Sequence, residues 1–582
     1  EKIRETFGHI ISEEDEVRLA NLIYYPEKMI NQIKQANEYT EDWQKTAVYR
    51  LVQICREVSS KYTRSKVRKK MPREFSGVID ELLYVDNTDD NKTEYYSELI
   101  NTLIDVRVAD SFIVVICSLI RSLTIDNLHI LGDIFDRGPR PDIILEELMH
   151  FHDVDIQWGN HDISWMGAAT GNRACICNVL RMALGYNGFD VLEDGYGINL
   201  RPLSMFAERV YRDDPCTCFL PQILDKNIYD AVDPKLAAKM HKAIAVLQYK
   251  EEGQIIKRHP EYGMEERILL SAIRYDRGTV TIDGKEYPMR DMNFPTVDPA
   301  DPLRLTDEEE ELLHTLELSF RHNARLHEHV RFLYSNGSMY KCCNSNLLYH
   351  GCIPMTENRE FDGLMVGGKM YRGKELMDFI DTQVKNAYFL PEDAPEKEAC
   401  RDFMWYLWNG AKSPVFGKDK NRSFEHYFIE DPEVMRETMN PYYQLSEEEE
   451  TCDMILKEFG LPTKGSHIIN GHMPVKIKSG ETPIRAGGKL FIIDGGLSKA
   501  YQERTGIAGY TLIFNSHHLA LAEHKPFDPE RERTPKVYIV EKMQKRITVA
   551  DTDEGKELAG RIEDLKELLK AYRSGLLKER IR

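Results

Sequence analysis

The sequence has no apolar run long enough to span a bilayer. Its longest, Phe112 to Ile120, is ended by Arg121 and reaches about half of the ~20 residues that a membrane helix needs. No charged-then-apolar leader opens it, since Glu1-Lys2-Ile3-Arg4-Glu5 runs into no hydrophobic segment, which reads against a secretory signal. Cysteine is scarce and odd in number, 11 in all, with Cys342 and Cys343 adjacent. Cys175-x-Cys177 and Cys216-x-Cys218 miss the spacing of thiol metal and redox motifs. That excludes a disulfide framework and reads as the reduced thiols of a cytoplasmic enzyme. Positive charge is in deficit: 77 Lys+Arg stand against 96 Asp+Glu, a formal net charge of −19. Such a chain has no overall attraction for a phosphate backbone, so neither nucleic acid nor a membrane surface is an expected partner. Internal repeats and long low-complexity linkers are absent as well.

What is present is globular: 582 residues, 42% hydrophobic and 30% charged. That length suits several domains, or one large core carrying insertions. Residues 1–108 read as a helical segment, with apolar residues at helical spacing in Val17, Leu19, Leu22, Ile23 and again in Ala47, Val48, Leu51, Val52, Ile54. The basic stretch Lys61 to Arg73 reads as a solvated helix face, or else as part of an anion pocket or subunit contact. Over 109–200 the texture is α/β. Leu128–Leu131 and Val154–Trp158 are short apolar runs that stop at Gly-Asp and Gly-Asn, with the helical spacing of Ile143–His150 between them. Residues 201–337 read as a helical insertion. Residues 338–540 resume the β-like core, with an insertion at about 370–460. Residues 541–582 end in an amphipathic helix whose stripe, Leu558, Ile562, Leu565 and Leu569, predicts docking on the body or on a second subunit. A homo-oligomer is thus compatible with the sequence.

Four loops carry the chemistry, each just after a short apolar run: Gly132-Asp133-Ile134-Phe135-Asp136-Arg137-Gly138, Gly159-Asn160-His161-Asp162, His350-Gly351 and Gly471-His472-Met473-Pro474. In parallel α/β sheets, chemistry sits in the loops beyond the carboxyl ends of strands. Asp133 offers a carboxylate with two oxygens, Asn160 an amide oxygen, and His350 and His472 imidazole nitrogens. That donor set suits divalent ions that hold a phosphate and lower the pKa of a water. His161 is positioned to protonate a leaving oxygen, Asp136 to orient it, and Arg137 to fork onto phosphate oxygens. Taken singly, G-D-x-x-D could be an ordinary turn and G-N-H-D a helix cap. His150, His152, His327 and His329 lie in polar helical stretches and read as structural or surface residues.

The order G-D-I-F-D-R-G, G-N-H-D, H-G, G-H-x-P resembles the calcineurin-like metallophosphoesterases. Longer stretches resemble class III fructose-1,6-bisphosphatase of the Firmicutes: Ser60–Lys66, Asp155–Asp162, Tyr196–Leu203, Trp405–Trp408 and Ile493–Tyr501. The resemblance implies an α/β fold with a calcineurin-like β-sandwich flanked by helices and carrying large helical insertions. It implies a manganese-dependent, dinuclear hydrolase acting on fructose 1,6-bisphosphate in gluconeogenesis. It supports Asp133 as the bridging ligand, Asn160, His350 and His472 on one ion, His161 with Asp136 as the acid pair, and Arg137 on phosphate. Lys499 with the Tyr501 hydroxyl, and secondarily Arg201, are the predicted partners of the second phosphate. A phosphoprotein or dinucleotide phosphatase, or an inactive sugar-phosphate-binding relative, would share the core. One element of the family pattern is missing. None of the 18 histidines is preceded two positions earlier by Asp, so the Asp-x-His that completes the other ion site is absent from the chain as given. The expectation is a shortened chain whose metal binding is asymmetric.

Overall fold

The computed structural model describes residues 2–8, 10–84, 90–223, 232–507, 509–525 and 536–577. Two compact units divide the chain: residues 1–128 with 150–154, and residues 129–149 with 155–582.

The first unit is all helical. Its central helices, Glu41–Ser59 and Ala109–Thr124, bury one face each, including Val48, Leu51, Val52, Phe112, Ile113 and Ile116. The apolar run Phe112 to Ile120 lies in a core helix of this bundle, and helical texture continues to Thr124. Thr40 opens the first of these helices, its hydroxyl accepting from the Trp43 N–H, which satisfies one of the unpaired donors of the first turn. Leu19, Leu22 and Ile23 are buried as their spacing predicts, but Val17 is exposed. Much of the basic stretch is matched by acids within the unit: Arg64 and Arg68 pair with Asp80, and Lys70 with Asp126.

The second unit is mixed α/β, mostly helical, with several small sheets. One sheet runs in the order Leu128–Ile130, Val154–Gln157, Gly337–Ser338, the last two strands parallel. A five-stranded sheet runs Ile484–Arg485, Leu490–Ile492, His467–Asn470, Asn346–Tyr349, Tyr340–Cys343. Its three inner strands are parallel and its two edges antiparallel. Strands Asn346–Tyr349 and His467–Asn470 are buried throughout, as parallel strands covered on both faces must be. A three-stranded antiparallel meander follows, Gly509–Phe514, His518–His524 and Lys536–Lys542. One apolar cluster joins Leu348, Ile469 and Phe491 to Tyr510, Leu519 and Leu521 of the meander and to Leu131.

The region 201–337 contains the long helix Pro234–Arg258, whose Lys242 and Lys250 are fully buried against Asp214, Asp291 and Glu309. It also contains a small antiparallel sheet, Ile273–Arg274, Thr279–Ile282, Lys285–Pro288, which helical spacing gave no sign of. The C-terminal helix, Asp553–Arg573, forms as expected. Its stripe does not dock on the body: Leu558, Ile562, Leu565 and Leu569 are 43–63% exposed.

Candidate metal centre

All four loops leave the carboxyl ends of buried or half-buried strands, and the second also opens a helix. Because Asn346–Tyr349 and His467–Asn470 are parallel neighbours, the residues that follow them, His350 and His472, emerge side by side. Asp133 follows Leu128–Ile130, while Asn160 and His161 begin the helix Asn160–Thr170 just after Val154–Gln157.

The first two loops approach so closely that only glycine fits between them. A Cβ on Gly132 would lie 2.4 Å from both the Gln157 carbonyl oxygen and the Gly159 nitrogen; one on Gly159 would lie 2.1 Å from Asp133 Oδ1. Asp133, Arg137 and His472 all have positive φ, a conformation held only where the surroundings impose it. The fully buried Asp162 binds the two loops together. Its carboxylate accepts from Asp133 N at 2.7 Å and from Gly159 N at 3.0 Å. The sequence motif includes Asp162, but its role shows only in these bonds.

Around Asp133 the donor atoms converge. His350 Nδ1 bonds the Leu131 carbonyl at 2.5 Å, and His472 Nε2 bonds the Phe416 carbonyl at 3.1 Å. A carbonyl only accepts, so each of these nitrogens carries the hydrogen. The other two nitrogens, His350 Nε2 and His472 Nδ1, are 3.1 Å apart, and His350 Nε2 is 3.3 Å from Asp133 Oδ2. Two lone pairs and a carboxylate oxygen facing one another require a cation between them. Asn160 Oδ1 is buried with no hydrogen-bond partner among the described residues. Burial is the largest influence on Asp133 and pushes its carboxyl up, but His350 and His161 hold it below the usual range. Burial lowers His350, yet the Asp133 charge prevails and raises it to about 9. Burial and then the His350 charge push His472 down to about 3. The trio therefore stabilises one shared positive charge, and bound metal would replace the proton. Asp133, His350 and His472 form one group able to hold an ion; Asp133, Asp136 and His161 form a second. These residues fit a divalent metal.

His161 Nε2 lies 3.1 Å from Asp136 Oδ1. Its ring meets the Trp408 indole edge-on, centroids 4.9 Å apart, and the His161 backbone N–H donates to Asp133 Oδ1 at 3.1 Å. The Arg137 guanidinium is 3.5 Å from Asp136, lies over the Tyr186 and Tyr501 rings, and donates to the Tyr501 hydroxyl. Burial pushes the Tyr501 phenol far up, so it stays protonated. A small cavity opens beside His161 and Arg137, lined also by Trp165, Asn178, Tyr186 and Trp408. The indole N–H of Trp408 is buried without a partner among the described residues. Asp494 lies near Asp133 and Asp136, where burial raises it to about 6.

Of the predicted residues, Asp133, Asp136, Arg137, His161, His350 and His472 are thus gathered directly. Tyr501 reaches the group through Arg137. Lys499 is exposed on the short helix Lys499–Thr505, and Arg201 is exposed at the start of Arg201–Val210. Trp408 and Tyr186 went unassigned in the sequence; only the Trp405–Trp408 stretch pointed toward one of them.

The family model described as Firmicute fructose-1,6-bisphosphatase matches residues 1–574. The chain is 50% identical over 587 residues to the fructose-1,6-bisphosphatase class 3 of Clostridium tetani, covering 100% of this chain and 88% of that one. It is 50% identical over 588 residues to that of Bacteroides fragilis, covering 100% and 89%. Against the enzyme of Alkaliphilus metalliredigens it is 50% identical over 587 residues, covering 99% and 88%. No solved structure matches.

Proposed function

The chain belongs to the Firmicute fructose-1,6-bisphosphatase family, and from that premise we propose that it hydrolyses fructose 1,6-bisphosphate to fructose 6-phosphate and phosphate, a gluconeogenic step, at the Asp133 centre. The observation that carries the assignment of the site is the convergence of His350 Nε2, His472 Nδ1 and Asp133 Oδ2. Asp133, Asn160, His350 and His472 would hold a divalent ion, which neutralises phosphate charge and makes water a better nucleophile. Manganese is our reading of that ion. The mixed oxygen and nitrogen donors support it, as they do iron and zinc. The group Asp133, Asp136 and His161 supports a second ion position, in which His161 would be a ligand instead of an acid.

In the reading we favour, water oxygen forms a bond to the 1-phosphorus while the bond from phosphorus to the sugar oxygen breaks; one water proton stays on the new phosphate and the other restores the one that His161 gives up. Arg137 forks onto the phosphate oxygens as their charge grows. Tyr186 and Tyr501 hold its plane in place. His161 delivers the proton to the departing sugar oxygen, and Asp136 fixes the ring that delivers it. The cavity beside His161 takes the sugar, where the Trp408 N–H supplies a donor for a hydroxyl and the indole faces exclude water. Tyr501, carrying a neutral hydroxyl at Arg137, assists phosphate recognition; Lys499, on the same short helix, and Arg201 remain proposals for the second phosphate.

We assign the architecture to the calcineurin-like β-sandwich. The support is the motif order at strand ends and the apolar cluster shared by the five-stranded sheet and the meander. Free thiols at all 11 cysteines support a reducing, cytoplasmic setting, and no described helix is long and apolar enough to cross a membrane. The deciding experiment is a substrate panel with manganese supplied: fructose 1,6-bisphosphate, a phosphopeptide and a dinucleotide, on the chain and on Asp133→Ala. A strong preference for the bisphosphate, abolished in Asp133→Ala, is the expected result. Equal rates on all three would refute it.

A further inference from the structure

The helix that opens with Asn160 and His161 closes with Ala169 and Thr170. Those last two residues line a second polar cavity of about 160 Å³. Three cations enter it from two other helices: Arg321 at the end of Asp307–Arg321, and Lys397 and Arg401 on Lys397–Asn409. One carboxylate, Glu392, answers all three, at 3.3 Å from Arg321, 2.9 Å from Lys397 and 2.8 Å from Arg401. The burial is inverted relative to an ordinary surface pair. The Lys397 and Arg401 side chains are 6% and 13% exposed, whereas Glu392 is 59% exposed. Arg401 Nε is also buried and without a hydrogen-bond partner among the described residues.

The place of Arg321 is built in. Gly171, just past the helix end, has positive φ, and a Cβ there would lie 2.7 Å from Arg321 Cδ. Two further carboxylates reach these cations from outside. Glu317 takes the other side of Arg321 at 3.2 Å, and Glu398 stands 3.8 Å from Arg401. Neither is the group shared by all three. Glu392 lies in the connection between the helices Gly373–Phe389 and Lys397–Asn409, where a side chain can swing out without disturbing either.

We propose that this cavity is an anion site separate from the Asp133 centre, taking the phosphate group of a small ligand in place of the Glu392 carboxylate. One buried cation, Lys397, a largely covered second, Arg401, and a third at the rim suit a dianion with three acceptor oxygens better than a single exposed carboxylate with two. The site lies about 15 Å from His161 along one continuous helix, at 1.5 Å per residue, so its occupation is linked to the catalytic end by a rigid element.

Inorganic phosphate is the probe, titrated calorimetrically into the full chain and three variants. Two phosphate sites per chain are expected in the parent. Glu392→Gln removes the internal competitor and should tighten one of them by about 3- to 10-fold. Arg401→Gln should weaken that same site by at least about 10-fold. Arg137→Gln should weaken only the other. Because Glu392→Gln predicts a gain, a folding defect cannot imitate it. A single phosphate site lost in Arg137→Gln, or two sites neither of which responds to Glu392→Gln, would overturn the proposal.

Discussion

Replacing Gly159 by alanine should cripple the enzyme through one methyl group. The added Cβ would stand 2.1 Å from Asp133 Oδ1, 2.6 Å from its nitrogen and 2.7 Å from its Cγ. Ordinary contact begins near 3.5 Å, so the carboxylate would have to retreat by roughly 1 Å or more. The main chain of Asp133 has little freedom to follow, because its N–H is held by Asp162 at 2.7 Å and Gly132 is wedged against Gln157 and Gly159. The methyl therefore displaces the Asp133 oxygens proposed to hold metal and the acceptor that receives the His161 backbone N–H. A misplacement of about 1 Å costs on the order of 10²-fold in rate, and overpacking costs about 1–3 kcal/mol of stability. The assay is kcat/KM on fructose 1,6-bisphosphate, metal content by elemental analysis, and thermal melting on the same samples. Gly138→Ala is the control in the same loop, since a Cβ there meets nothing within 4 Å. If Gly159→Ala kept both its metal and its kcat/KM within about threefold of the parent, the rigidity argued for the two loops would be wrong.

Other perturbations separate the remaining roles. His161→Asn should lower kcat by about 10²–10⁴-fold with metal retained, as for loss of a general acid; elemental analysis showing metal loss would make His161 a ligand. Tyr501→Phe should raise KM for the bisphosphate through looser placement of Arg137. Lys499→Met should raise KM for the bisphosphate while sparing p-nitrophenyl phosphate, and equal effects on both would make Lys499 an ordinary surface lysine. Outside the Asp133 centre, His241 is held between the Phe219 carbonyl and the Tyr427 hydroxyl, and burial lowers it to about 3. The unfolded chain then takes up a proton that the folded chain refuses. Stability is fully present above about pH 6.5 and falls toward pH 3, by up to about 1.4 kcal/mol per pH unit. Denaturant melts at several pH values should show a flatter acid limb in His241→Gln, and an unchanged slope would show that another group is responsible.

The gathering of Asp133, Asp136, His161, His350 and His472 was legible because ligand-type side chains stood beside glycines at the ends of short apolar runs, where strand ends bring them together. Helical spacing likewise announced the core helices of the first unit. What escaped was whatever depends on contacts distant in sequence. Val17 fits the apolar rhythm but faces solvent, since spacing reports a face and not whether a neighbour covers it; the same is true of the C-terminal stripe. The sheet spanning 273–288 is too short for alternation to register against the surrounding helices. Tyr501 was expected beside a phosphate; that its hydroxyl accepts from Arg137 needed the fold. The cations at 321, 397 and 401 come from two helices and sit beside carboxylates in the sequence, so local pattern marks them only as solvated charge.

The bond between Arg137 and Tyr501 closes a separation of 364 residues, and that between Leu131 and His350 one of 219. Synthesis proceeds at about 5–20 residues per second, so roughly 20–70 s pass between the emergence of the first member of the longer pair and the second. Over that interval the Asp133 loop waits beside strands not yet made, and its arginine has no phenol to lie against. The centre is therefore a late event in the life of each molecule, arriving after the first helical unit has had time to settle. A nascent chain halted just before Tyr501 would already hold Asp133, His161, His350 and His472 and still lack the clasp on Arg137.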